Sequence, residues 1–332
     1  MDVAAVALVR RIFGPVVAVL VMIPAVAWGG DAARRTFWFT YGGTVTGVKP
    51  GETARVWLPL ARTDRDQVVE IVRREMPGHP RTNSDARNEN QFLYFETAAG
   101  MEGGIRFSVV YRVTRSEVAE ETAGGDGSDW RYLRADMLVP VGGKPARVLL
   151  AGKTMPADPL RRGRVLYDLV DDHMEYRKDK PGWGRGDAAW ACDSGFGNCT
   201  DFHSLFISLA RSLEIPAKFE MGFAIPVGRG TGEVAGYHCW AKFRPAGHGW
   251  VPVDISEANK DPSKRDYYFG TLDENRVMFS TGRDLQLAPG QAGPPVNFLV
   301  YPYVEVDGKP YPQEKIKCAF AYEDVGPAAK TR

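Results

Sequence analysis

A cysteine stands in Asn198-Cys199-Thr200-Asp201-Phe202-His203, just after a run containing Asp193, Ser194, Gly195 and Gly197 that reads as a loop. Cys199, Phe202, Phe206, Leu209 and Leu213 recur at the spacing of one stripe on a 3.6-residue helix. The spacing predicts a helix with the cysteine in its first turn, followed by a break at Ile215-Pro216-Ala217. Thiolate is the nucleophile of cysteine chemistry, and the unpaired N–H groups and macrodipole of a helix start favour it. Asp201 adds a carboxylate to the same turn. Taken alone, Cys199 reads also as a small buried hydrophobe.

A cysteine nucleophile needs a base to take its proton and a third group to orient that base. His238 lies on a β-prone run, Tyr237-His238-Cys239-Trp240-Ala241, where alternation sends His238 towards a cleft and Cys239 into a core. The next strand-like run, Trp250-Val251-Pro252-Val253-Asp254, ends in a carboxylate suited to fix an imidazole tautomer. Each residue also has a plain structural reading, His238 as a satisfied strand histidine and Asp254 as a turn residue. His203 would share the helix of Cys199 and offer no separate wall for a substrate. His79, His173 and His248 stand in no recognisable relation to a cysteine or carboxylate.

Three ordered blocks, Gly197-Asn198-Cys199-Thr200-Asp201-Phe202, Gly236-Tyr237-His238-Cys239-Trp240 and Gly249-Trp250-Val251-Pro252-Val253-Asp254, resemble those of the transglutaminase-like superfamily, a branch of the papain-like cysteine-catalysis fold. The resemblance covers roughly residues 160–260. It implies Cys199 as nucleophile, His238 as base and Asp254 as its orienter, on a helix packed against an antiparallel sheet. It also implies acyl transfer on peptide or carboxamide bonds through a thioester, with water or an amine as acceptor, so that protease, amidase and transglutaminase all remain open. The oxyanion would take the Cys199 backbone N–H and a second donor, for which the Trp190 indole is a candidate and packing the alternative reading. Exported bacterial members often carry a β-rich domain ahead of the core, which residues 36–150 resemble. A non-catalytic, exported binding or scaffold module on the same fold is the alternative function.

Positioning such a site needs an α+β architecture, and the chain supplies the pattern for one. At 332 residues it exceeds what a single core usually covers. Residues 36–150 read as a β-rich domain, with the first part, to about residue 118, like a small β-sandwich. Its clearest strand places Ile105, Phe107, Val109, Tyr111 and Val113 on one face. Arg81 to Asn90 reads as a solvated loop, Glu117 to Asp129 as a linker, and Leu138 to Leu150 as strand-turn-strand around Gly142-Gly143. Residues 151–281 form the expected catalytic core, with a first helix over about Pro159 to Lys178. Residues 282–332 are expected to extend that core with strands near Asn297 to Val306 and Lys317 to Tyr322.

Composition excludes several classes. An apolar fraction of 44%, a charged fraction of 25% and a net charge of +1 describe an ordinary globular chain with no nucleic-acid footprint. Residues 1–27 read as a secretory signal: Arg10-Arg11, an apolar stretch, then Ala25-Val26-Ala27. The expected setting is periplasmic or secreted, without stable membrane insertion after cleavage, though an uncleaved anchor is an alternative, and the expected partner is a protein or peptide substrate. In an oxidising compartment Cys192 is near enough in sequence to trap Cys199 as a disulfide. No C-x-x-C pair suggests zinc or a thioredoxin-like motif, and Asp171-Asp172 lack EF-hand spacing, so no metal or other cofactor is expected.

Overall fold

The structure, a computed structural model, describes residues 32–100, 104–121 and 128–326. The expected signal segment, residues 1–27, lies outside the described residues. Among the described residues no helix is long and apolar enough to cross a membrane.

The N-terminal region supplies strands β1 (Arg34–Thr46), β2 (Thr53–Leu60), β3 (Gln67–Glu75), β4 (Arg81–Ser84), β5 (Gln91–Ala98), β6 (Gly104–Ser116) and the short β7 (Val118–Ala119). The middle carries helices α1 (Lys144–Leu149), α2 (Pro159–His173), α3 (Ala188–Ser194) and α4 (Cys199–Ser212), with β8 (Glu175–Tyr176) and β9 (Phe196–Gly197) between them. Then come β10 (Ala217–Ala224), β11 (Thr231–Glu233), β12 (Tyr237–Phe243), β13 (Val251–Val253), α5 (Ile255–Lys260), β14 (Thr271–Leu272) and β15 (Arg276–Thr281). Strands β16 (Tyr303–Val306), β17 (Lys309–Pro310) and β18 (Ile316–Asp324) close the chain.

Three sheets organise these elements. The first runs β11-β18-β1-β6-β3 and the second β17-β16-β2-β5-β4; the third, β13-β12-β10-β15, carries the candidate site. Alternation along β6 buries Ile105, Phe107, Val109, Tyr111 and Val113, the face the sequence pattern marks. The C-terminal strands depart from expectation. Instead of extending the core, β18 pairs along β1 from Phe37↔Asp324 to Val45↔Ile316, and β16 pairs with β2 from Tyr303↔Trp57 to Val306↔Ala54. The C-terminal part of the expected 282–332 extension is therefore built into the N-terminal sheets. Strand pairing is non-local, so hydrophobic runs near residues 300 and 320 carry no mark of which sheet they join.

Two local expectations also change. Residues 144–149 form helix α1 rather than part of a strand pair, with Pro145 in the first turn, where its missing N–H costs nothing. Arg81–Ser84 pair with β5 as an edge strand despite their polarity, a composition that suits an exposed edge.

One hydrophobic core runs from Phe37 through α4 to Tyr322. Its junction is aromatic: Phe39 and Tyr41 on β1 meet Phe223 on β10, Phe279 on β15 and Phe320 on β18, with ring centroids 4.8–6.3 Å apart. Helix α4 packs on the third sheet through contacts such as Phe206–Phe243. The sheet that carries His238 is thus braced on both sides. Deleting residues 303–332 removes β18 from inside the first sheet and both β16 and β17 from one end of the second. We expect this chain to lose its cooperative unfolding transition and near-ultraviolet circular dichroism; retention of both would contradict the interlock.

Candidate functional site

Helix α4 starts where its capping chemistry dictates. The Asn198 side chain accepts from Thr200 N–H at 3.0 Å, and Asp201 reaches back to Asn198 N–H at 3.0 Å, a reciprocal capping box. Asp201 is buried and also accepts from Gly184 N–H at 2.7 Å and Gly186 N–H at 3.0 Å. One carboxylate therefore ties the 184–186 loop to the start of the helix. Gly197 has to be glycine, because a Cβ there would stand 2.5 Å from the Asp201 Oδ2. Arg283 completes the anchor, donating to Gly186 O and Ser204 Oγ at 2.7 and 2.6 Å.

These caps hold Cys199 at the first helical position, 2% exposed. His238 Nε2 lies 2.6 Å from Asp254 Oδ2, which leaves the other ring nitrogen for its contact with the Cys199 sulfur. The structure thus brings Cys199, His238 and Asp254 into one chain of contacts. Burial opposes ionisation of the Cys199 thiol. Hydrogen bonds from Cys239 and His238 and the imidazolium charge overcome this and hold its pKa well below the ordinary thiol value. Burial likewise opposes a charge on His238, but the Asp254 carboxylate, aided by the thiolate, pushes its pKa up to about 10. Asp254 is held well below the carboxylate range against its own burial by His238 and Arg276.

Alternation along β12 puts Trp240 beside His238, with ring centroids 6.2 Å apart, and Phe243 towards α4. Cys239 does not simply enter a remote core. Its thiol meets that of Cys199 and its sulfur lies 3.6 Å from His203 Nδ1. Burial and the facing thiolate push the Cys239 pKa well above normal, so Cys239 stays protonated and donates. Cys192 sits elsewhere, on α3, with its thiol under the influence of Asp193 and Lys144 and its carbonyl 2.8 Å from His173 Nε2. The sulfur facing Cys199 belongs to Cys239, not Cys192, and none of the four cysteines is joined in a disulfide.

Trp190 is held by packing: its ring meets Phe196 edge-on at 5.3 Å and lies against Gly182. Sequence reasoning missed several residues around the triad. Tyr237 O–H donates to Thr200 Oγ1 at 3.0 Å, because the Thr200 hydroxyl proton already goes to Asn198 Oδ1; Asn198 Nδ2 in turn donates to Tyr237 at 2.9 Å. Arg276 donates to Asp254 Oδ2 at 2.6 Å. Ser256 Oγ–H and Glu257 N–H bond the other Asp254 oxygen at 2.9 and 3.1 Å, capping α5. No sequence spacing marks Arg276, which arrives from another strand. His203 is fully buried, with its Nε2 3.7 Å from Asp254 Oδ1.

His238, Asp254 and Glu257 are close enough together to be considered as metal ligands. Their oxygens already have cations: Arg276 occupies Asp254, and Lys260 pairs with Glu257. A metal ion would have to displace a buried guanidinium, so the donor set fits acid–base work better than coordination.

Comparison with known proteins bears on the fold rather than on the roles of these side chains. Residues 146–255 match the model of the transglutaminase-like superfamily. An uncharacterized protein of Haemophilus influenzae is 32% identical over 185 residues, which cover 46% of this chain and 50% of that protein. The chain therefore spans about half the length of the curated relative it matches. A crystal structure of a protein provisionally described as a cysteine protease, from Cytophaga hutchinsonii, superposes over 88% of this chain and 100% of its own, with 16% identity and a TM-score of 0.53. The periplasmic domain of TgpA from Pseudomonas aeruginosa covers 71% of this chain and 91% of its own at 16% identity and a TM-score of 0.36.

His203 yields a test of the site's electrostatics. Its Nε2 accepts from Ile255 N–H at 3.1 Å, so the ring is neutral with its proton on Nδ1. Burial lowers its pKa from 6.5 to about 4. An unfolded chain then binds a proton between those values that the native site refuses, so the His203 contribution to stability is present above pH 6.5 and is lost as pH falls to about 4. The loss is on the order of 3 kcal/mol. Denaturant unfolding of wild type and His203→Gln should diverge in pH dependence across that window; parallel curves would contradict the assignment.

Proposed function

We propose that this chain, which carries a transglutaminase-like core, performs cysteine-dependent acyl transfer on peptide or carboxamide bonds. The observation that supports the reading most is the Cys199 thiol at a capped helix start, in contact with a histidine that Asp254 holds at 2.6 Å. In this reading the Cys199 thiolate attacks the carbonyl carbon, and the tetrahedral oxyanion takes a hydrogen bond from the Cys199 N–H. That N–H lies in the first turn, where backbone donors have no partner within the helix. His238, as imidazolium, gives its proton to the departing amine, and a thioester remains on Cys199. The neutral His238 then removes a proton from water or an incoming amine, which attacks the thioester and frees the sulfur. Asp254 keeps the imidazole oriented throughout.

Hydrolysis by a protease or amidase is preferred over cross-linking, because it requires no second binding site for an amine. The Trp190 indole remains a proposed second oxyanion donor. The signal-like segment at residues 1–27 supports a periplasmic or secreted setting, where protein or peptide substrates from the envelope or outside would be met.

Incubation with a peptide library and a primary amine, followed by mass analysis, tests the reading. Cleavage, deamidation and amine incorporation have different mass changes. We expect cleavage or deamidation, abolished in Cys199→Ala and slowed by about 10²–10⁴-fold in His238→Ala. Product formation that survives Cys199→Ala would overturn the cysteine mechanism, and a folded wild-type protein that alters no peptide would favour the binding-module alternative.

A further inference from the structure

Arg276 opens β15 and reaches the site from behind Asp254. Its guanidinium is 2% exposed. Nη1 donates to Asp254 Oδ2 at 2.6 Å, the same oxygen that His238 Nε2 uses, and Nη2 donates to Asp273 Oδ2 at 2.9 Å. The Trp240 ring lies 5.2 Å from the guanidinium carbon and the Tyr268 ring 5.7 Å, so aromatic rings pack against the cation. Ser256 Oγ–H and Glu257 N–H take the other Asp254 oxygen, so Arg276 and the imidazole share a single one.

We infer that Arg276 is a positioning residue for the reaction: by sharing Asp254 Oδ2 with His238, it limits how strongly Asp254 retains the imidazolium proton. The inference rests on the proposed Cys199–His238 ion pair. Without Arg276 the site would lose one positive charge from a water-poor interior, where Coulomb interactions are long-ranged and weakly screened. Every nearby acid would then give up its proton less readily. Asp254 would grip the imidazolium harder, making it a poorer acid towards a leaving amine, and the thiolate would lose a supporting charge. Asp273, on the far side of the guanidinium, has the opposite influence, because it draws part of that charge away from Asp254.

Other charged or titratable groups face the same centre and bound the effect. Glu257 Oε1 lies 3.7 Å from His238 Nε2 and is itself paired with Lys260. His203 Nε2 lies 3.7 Å from Asp254 Oδ1. Asp201 and Cys239 adjoin Cys199, and Tyr176, Tyr237 and Tyr301 lie within electrostatic reach of it. None of them supplies a fixed positive charge to Asp254 as Arg276 does.

The test reads the Cys199 thiol directly and needs no substrate. The rate of alkylation by iodoacetamide is measured against pH, with labelling at the Cys199 peptide resolved by mass spectrometry. Wild type should show an inflection well below the free-thiol value of about 8.5. Arg276→Gln should move it upward by roughly one pH unit or more, and Arg276→Lys, which keeps the charge, should stay near wild type. Asp273→Asn, at a side chain 21% exposed and outside the triad, should move the inflection downward, and this sign reversal serves even if Arg276→Gln does not fold. Superposable profiles for wild type and Arg276→Gln would overturn the inference, as would an Arg276→Lys shift as large as that of Arg276→Gln, or an unmoved or upward-shifted Asp273→Asn profile. A wild-type thiol that titrates as a free cysteine would overturn the ion pair itself, a different and separable failure.

Discussion

A thiolate and an imidazolium persist beneath a protein surface only if each charge finds a partner at once, since an unpaired buried ion neutralises instead. Here the partners form an alternating line: Cys199, His238, Asp254, Arg276 and Asp273. Each member opposes the sign of its neighbour. Burial alone would push both the thiol and the imidazole towards neutrality, and the line reverses both tendencies. Its members come from α4, β12, the end of β13, β15 and the turn before β15, so the charges align only when the whole third sheet and its helix are assembled.

That dependence gives the remainder of the fold its purpose. The Asp201 carboxylate fixes the first turn of α4 against a loop, while Arg283 fixes the same loop to the helix flank. Behind the sheet, Phe223 and Phe279 lock onto aromatic rings of β1 and β18. A site whose key hydrogen bonds are about 2.6 Å long tolerates little displacement, and the large core that includes α4 and β12 supplies the stiffness. The return of the C-terminal strands to the N-terminal sheets makes the scaffold one mechanical unit rather than a platform with an appendage.

The candidate site is legible in the sequence because its signals are local. The stripe from Cys199 to Leu213 predicts α4, Asn198 and Asp201 sit at capping positions, and the blocks around His238 and Asp254 stand on short strand patterns. The mixed α+β architecture follows from the same local features, and residues 146–255, which match the transglutaminase-like family model, include all three blocks. What escaped was non-local. Arg276 carries no spacing signal because its acid is on another strand, and β16 and β18 reveal their partners only through register. Cys192 drew attention by proximity in sequence, yet Cys239 holds the adjacent sulfur because β12 runs alongside the start of α4. His203 shares the helix of Cys199, and that shared helix is what brings a neutral ring to within 3.7 Å of Asp254.

The central claim is that Cys199 exists as a thiolate paired with a protonated His238. Thiolate absorbance in the ultraviolet, taken as the difference between wild type and Cys199→Ala across a pH titration, tests it most directly. The account predicts that the difference signal is already developed at neutral pH and disappears only in acid, far below the free-thiol value of about 8.5. A signal that emerges only at or above that value would contradict it.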